Sequence, residues 1–294
     1  MAIIRSNHER MEVVAEKLSS LGLECALRVE ELDPQFQAIK LITSKMDFGT
    51  ALTLIVLNSL VSYRLSGRGE DYWNEFAFYI SKLNQPKSLI EAIKIVINFL
   101  SKSKINVALR SSKTSRLLRA LTANILDPQK ITEYAKDLRA FAKALASNLK
   151  SKWNSKTVVF SLKMICYAYR AYYEKPLTAS FDIPIPIDSR IAKLSWTSGI
   201  VDIIDSNFKK WHDIVKVIVE KPREAQRAWG IVAEKCKIPP LHLDSILWFV
   251  GGFINRSNTR ERAVGKASEI LSRMISKNFN EVVEVVDELI IRYL

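Results

Sequence analysis

SLIEAIKIVINFLS, residues 88–101, decides how the rest of the chain is read. Its apolar residues recur at three- and four-residue spacing, the signature of one buried helix face. The same period runs through the segments near 131–149, 155–173, 258–276 and 280–293. NFNEVVEVVDELIIRYL (278–294) sets acids on one side and Val, Leu and Ile on the other, an amphipathic closing helix. Strand-type alternation bounded by turn signals is almost absent. The nine glycines form neither GxGxxG nor GxxxxGK[ST], so there is no nucleotide loop. No repeat of fixed period occurs, which sets a solenoid aside. The expected fold is all-α with short connections. LDPQ (32–35), GRGE (67–70), a second LDPQ (126–129), KWNS (152–155) and KIPP (237–240) punctuate the helices. Asp33 and Asp127 read as N-caps followed by proline at the first helical position.

With 294 residues, 48% of them hydrophobic, the chain can bury one large core or two lobes. Lys and Arg number 44 against 31 Asp and Glu, a formal charge of +13. Such a surface suits a polyanion, nucleic acid above all, but charge alone leaves a merely soluble basic protein equally open. The distribution says more. Residues 101–125 hold Lys102, Lys104, Arg110, Lys113, Arg116 and Arg119 and no acid, and 143–175 hold a single acid, Glu174. Two acid-free stretches in one half point to a phosphate-facing surface. Cys25, Cys166 and Cys236 lie far apart with no CxxC, so buried free thiols are expected rather than disulfides, zinc or an iron–sulfur cluster. His8, His212 and His242 gather no ligands at metal spacing; His242, two before Asp244, could orient a neighbour, but reads first as a structural histidine. The N-terminus has no signal-peptide pattern. The longest apolar run, ALTLIVLNSLV (51–61), falls short of the ~18–20 residues a membrane span needs. A soluble, cytoplasmic protein is expected.

Two stretches carry the chemistry. In SKWNSKTVVFSLKMICYAYRAYY (151–173) a polar turn leads to Lys156 at the start of an apolar helix. The helix dipole, the neighbouring Lys150 and Lys152, and desolvation by the apolar helix all disfavour an ammonium there, which is how an amine becomes nucleophilic. On local chemistry alone a solvent-facing lysine is the commoner case. In FDIPIPIDSRIAKL (181–194) prolines fix the backbone of IPIPI as an extended strut ending at Asp188, a good helix cap.

The order of KTVVFSLKM (156–164), DIPIPIDSR (182–190) and LHLDSILWFVGG (241–252), with weaker support from ELDPQFQ (31–37) and RGEDYW (68–73), resembles the helix-hairpin-helix superfamily of DNA glycosylases. The match is strongest to archaeal 8-oxoguanine glycosylases with lyase activity, and spans most of the chain. The resemblance implies a two-lobed helical fold over 1–294, lobe one about 36–179 and lobe two about 1–35 plus 180–294, with the active site in the cleft. It implies that Lys156 attacks C1′ of a damaged nucleoside, forms a Schiff base and nicks the strand, while Asp188 stabilises charge on the sugar. Phe160, four residues after Lys156, and Trp73 would flank the flipped base. Trp248 would hold its edge or wall. Asp244 would accept hydrogen bonds from the base, with either Asp244 or a backbone carbonyl facing N7–H of 8-oxoguanine, and Gln35 would read the Watson–Crick edge. For both tryptophans core packing is the competing role. The superfamily usually carries a glycine-rich turn before the lysine. KSKWNSK has none, so its hairpin must differ, with Lys150 or Lys152 taking over part of the phosphate contact. No metal and no cofactor are implied. The implied partner is DNA carrying 8-oxoguanine or an abasic site, met by a monomer of archaeal origin. A glycosylase for another lesion and a non-catalytic helical nucleic-acid binder are the alternatives.

Overall fold

ALTLIVLNSLV lies in a helix, Phe48–Val61, whose fourteen residues are all buried. A helix apolar on every side is a core helix, and others wrap it. The computed structural model describes residues 3–204, 210–255 and 258–293. In chain order the elements are β1 (Ile3–Ser6), α1 (His8–Ser19), α2 (Gly22–Glu31), α3 (Pro34–Thr43), α4 (Phe48–Val61), α5 (Gly69–Ile80), α6 (Leu89–Lys102), α7 (Arg110–Arg119), α8 (Ile131–Tyr134), α9 (Leu138–Asn148), α10 (Lys156–Tyr173), α11 (Ser189–Thr197), β2 (Val201–Ile204), α12 (Trp211–Glu220), α13 (Arg223–Cys236), α14 (Pro240–Gly251), α15 (Arg260–Ile275) and α16 (Phe279–Leu289). The all-α class holds. None of these helices is long and apolar enough to cross a membrane.

The chain divides into two units. Unit one is Met1–Glu30 with Ala179–Leu294, and unit two is Glu31–Thr178. In unit two, α10 and α6 pack along α4, and α3 lies on α5 and α10. Gly49 lets the first turn of α4 meet the chain closely, since a Cβ there would lie 2.0 Å from the Pro128 carbonyl oxygen. Asn58, a polar residue in this buried helix, accepts the Tyr72 hydroxyl. In unit one, α1 packs on α13 and α16, and α11 on α12 and α14. Its core includes Leu18, Ile185, Ile191, Trp229 and Ile246.

Several expectations change in detail. The periodic segment 131–149 is two helices, because Asp137 caps α9 through the Ala140 N–H. Asp33 caps α3 with Pro34 in the first turn, as expected. Asp127 does not start a helix. Its carboxylate accepts the Gln129 N–H in a turn, and α8 begins only at Ile131. A strand pair also appears that the sequence does not announce. β1 and β2 run antiparallel from Ile3↔Ile204 to Ser6↔Val201. The three cysteines are free and buried.

Candidate active site

Unit two contributes the lysine. Helix α9 ends in a tight reversal in which Ser151 N–H bonds Ala146 O at 2.9 Å and Lys150 N–H bonds Ser147 O at 3.2 Å. This is a Schellman motif, and its left-handed position, usually glycine, is Lys150 at φ 50°. The hairpin thus closes without glycine. Lys150 and Lys152 are both exposed on it, and Lys156 opens α10 directly afterwards. Lys156 is itself exposed, so the desolvation expected from the apolar helix behind it does not apply. Beside it, Thr157 Oγ1 accepts Arg116 Nη2 at 2.8 Å, which docks the acid-free helix α7 against the first turn of α10.

One face of α10 then carries Lys156, Phe160, Lys163 and Tyr167 at helical spacing. The Phe160 ring meets Trp73 edge to face, centroids 6.3 Å apart, and Trp73 also meets Phe76 at 6.1 Å. Trp73 is buried, whereas Phe160 is partly open. Tyr167 donates its hydroxyl to Asp33 Oδ2 at 3.0 Å, while Asp33 Oδ1 accepts the Gln35 N–H at 2.8 Å. Burial pushes the Asp33 carboxyl up, against the opposing pull of Lys163, the Gln35 N–H and the Tyr167 hydroxyl. Gln35 is buried beside Gly69, and its Oε1 has no hydrogen-bond partner among the described residues.

Unit one contributes the carboxylate. The alternating isoleucines of the proline segment, Ile183, Ile185 and Ile187, are buried, so the strut is anchored by apolar packing. It ends at Asp188, whose Oδ1 accepts the N–H groups of Arg190 at 2.8 Å and Ile191 at 2.9 Å. Asp188 Oδ2 accepts the indole N–H of Trp248 at 3.2 Å. The Arg190 guanidinium lies over the Trp248 ring, 3.6 Å from its centroid. Asp244 is buried one turn before Trp248 on α14. Lys193 donates to Ile254 O at 2.6 Å, and burial, with Arg190 adding to it, holds its amine below the usual lysine range while Asp188 opposes. Among the described residues no group of three His, Cys, Asp or Glu is placed to hold a metal.

The sequence reading takes Arg116 and Lys163 only as members of the two basic stretches and gives Arg190 no role. Lys163 carries a local signal, its seven-residue spacing from Lys156 on a largely apolar helix.

A lysine opening a helix behind a hairpin and a carboxylate clamped at another helix N-terminus are the two parts the sequence resemblance calls for. The AGOG family model, described as N-glycosylase/DNA lyase, matches residues 15–288. The chain belongs to the AGOG family. Similar proteins named N-glycosylase/DNA lyase include that of Aeropyrum pernix, 34% identical over 294 residues, covering 92% of this chain and 97% of that one. That of Thermococcus kodakarensis is 35% identical over 252 residues, covering 84% and 86%. Among solved structures, the 8-oxoguanosine complex of the 8-oxoguanine DNA glycosylase from Pyrobaculum aerophilum matches this AGOG chain with a TM-score of 0.73 and 28% identity, over 92% of this chain and 98% of that one. This AGOG protein is therefore an N-glycosylase/DNA lyase that acts on damaged DNA.

Proposed function

We propose that this AGOG protein excises 8-oxoguanine and then nicks the strand, working as a cytoplasmic monomer on DNA carrying that lesion or an abasic site. The likeness to the 8-oxoguanosine complex from Pyrobaculum aerophilum carries the choice of lesion. In this reading the Lys156 amine attacks C1′ of the damaged nucleoside. The C1′–N9 bond breaks, and its electron pair leaves with the base, which takes up a proton. The amine gives up one proton, relayed by Asp188, to the departing base, and as the C1′–O4′ bond breaks a second proton passes to O4′, opening the sugar ring to a Schiff base. Loss of a C2′ proton then breaks the C3′–oxygen bond and releases the 3′ side of the strand. Asp188 stabilises the positive charge that builds on the sugar. Its fixed geometry supports this role, since three donors hold the carboxylate still before the reaction begins.

In this reading Phe160, backed by Trp73, and Trp248 are the flat groups that take the faces or edge of the base. The buried Gln35 Oε1 suits the N1–H and N2–H donors of a guanine edge. Asp244 accepts N7–H, the proton that 8-oxoguanine has and guanine lacks. Lys150 and Lys152, exposed on the hairpin, meet phosphates.

Borohydride trapping tests the reading. A duplex with one 8-oxoguanine opposite cytosine should give a covalent protein–DNA band that an undamaged duplex and Lys156→Ala do not give. A Lys156→Ala protein that still cut the lesion strand at the normal rate would remove Lys156 from the mechanism. Trapping with a different lesion but not this one would remove 8-oxoguanine. Tight binding to any duplex with no product would move the reading to a non-catalytic binder.

A further inference from the structure

His242 is buried on α14 and bonded at both ring nitrogens. Nδ1 lies 2.8 Å from Oε1 of Glu30, and Nε2 lies 3.1 Å from the backbone N of Ala179. A backbone N–H only donates, so Nε2 carries the lone pair. The proton is then on Nδ1 and is donated to the Glu30 carboxylate. Glu30 is the last residue of unit one before the chain leaves it, and Ala179 is the first on its return. A single imidazole thus fastens both points.

From Ala179 the chain turns, with Ile183 N–H on Ser180 O at 3.2 Å, and runs without helix or strand to Asp188. Gln226 Nε2 holds it midway through Ile185 O at 3.3 Å. At the far end Trp248 bonds Asp188 Oδ2. His242 and Trp248 stand on the same helix, α14. The segment that presents Asp188 is therefore tied to α14 at each end, and the His242 tie is itself oriented by Glu30. Ala179 is buried, so its N–H has no ready substitute in water if the imidazole is lost.

We propose that His242, oriented by Glu30, is a positioning residue for Asp188. It fixes the origin of the segment whose end delivers the carboxylate. The inference rests on the reading of Asp188 as the catalytic carboxylate. It predicts a loss in the chemical step without a loss in DNA affinity, because a group displaced by about 1 Å costs up to about a hundredfold in rate.

The test is single-turnover excision of 8-oxoguanine from a duplex, with affinity for that duplex measured in a Lys156→Ala background and all assays run below each variant's melting transition. Glu30→Gln keeps an acceptor for Nδ1–H and should stay within about threefold of wild type. His242→Gln can still accept the Ala179 N–H, whereas His242→Asn is too short to reach it. The Gln variant should lose about tenfold and the Asn variant about a hundredfold, affinity unchanged in both. Glu30→Ala leaves the imidazole in place but removes the carboxylate that orients it, along with the 3.5 Å bond from Ser245 Oγ, and should also lose about tenfold, which keeps the test decisive if His242→Asn does not fold. Wild-type rates in folded His242→Asn or Glu30→Ala would overturn the inference. So would affinity falling in step with rate across the series, the mark of general loosening. Asp188→Asn run alongside separates the two readings. If it keeps the wild-type rate, the role of Asp188 itself fails. If it loses the rate while His242→Asn keeps it, only the positioning role fails.

Discussion

Trp248 donates its indole N–H to Oδ2 of Asp188 across 3.2 Å. The residue proposed to wall the base is thus also a ligand of the residue proposed to steady the sugar. Trp248→Phe keeps a flat wall and removes this bond. A hydrogen bond to a charged group contributes about 1.5–3 kcal/mol, so the single-turnover excision rate should fall by roughly ten- to a hundredfold while duplex affinity holds. Trp248→Ala should lower both. Equal rates for wild type and Trp248→Phe would show that the indole N–H contributes nothing to the chemistry.

Lys150 pays for the glycine-free hairpin with a left-handed backbone at φ 50°. Lys150→Gly should therefore stabilise the fold by about 1 kcal/mol, read as a higher melting temperature. The same change removes an exposed cation from the proposed phosphate surface. Duplex affinity should drop across all sequences, and the slope of log affinity against log salt should fall by about one. Raised stability with unchanged DNA binding would take Lys150 off that surface.

Lys113 is buried, with Nζ on Asn106 Oδ1 and the Tyr63 ring centroid 4.7 Å away. Burial, reinforced by Arg110, pushes its pKa down from 10.5 to about 8. The folded amine thus loses its proton at lower pH than the unfolded one. The cost of burying the charge is fully present below about pH 8 and is relieved as pH rises toward 10.5. Lys113→Met should melt above wild type at pH 7, and the gap should narrow by pH 10. A gap constant over that range would show that the buried amine does not titrate there.

Gly49→Ala would drive a methyl to 2.0 Å from the Pro128 carbonyl oxygen, against backbone that cannot swing aside. A loss of about 2 kcal/mol or more is expected in denaturant melts, as for other overpacked cores. Gly265, whose added Cβ meets nothing within 4 Å, is the control, and Gly265→Ala in mid-helix should be neutral or stabilising.

The parts of this fold that could be read in advance are those with a local cause. Period alone places α6 and α10, and a polar turn followed by KTVVF places Lys156 at a helix start. Asp188 is legible because the prolines and the cap lie within a few residues of it. β1 and β2 escape notice because four residues each are too few to display alternation, and their pairing joins distant ends of unit one. His242 is legible as a structural histidine, but its pairing with Glu30 is not, the two being 212 positions apart. Lys156 was expected to be desolvated because the residues after it are apolar. They face the core, while the first residue of the helix faces out.

Arg190 lies over one face of Trp248, 3.6 Å from the ring centroid, so in the proposed site a base would meet the other face. The guanidinium draws electron density out of the indole toward itself. A ring stacked on the opposite side meets a surface that has become less negative than a bare tryptophan. Neutral, electron-rich purines gain from that polarisation, and positively charged alkylated bases lose by it. If Trp248 walls the base as proposed, this stacking would filter out cationic lesions before any hydrogen bond to the base edge is formed.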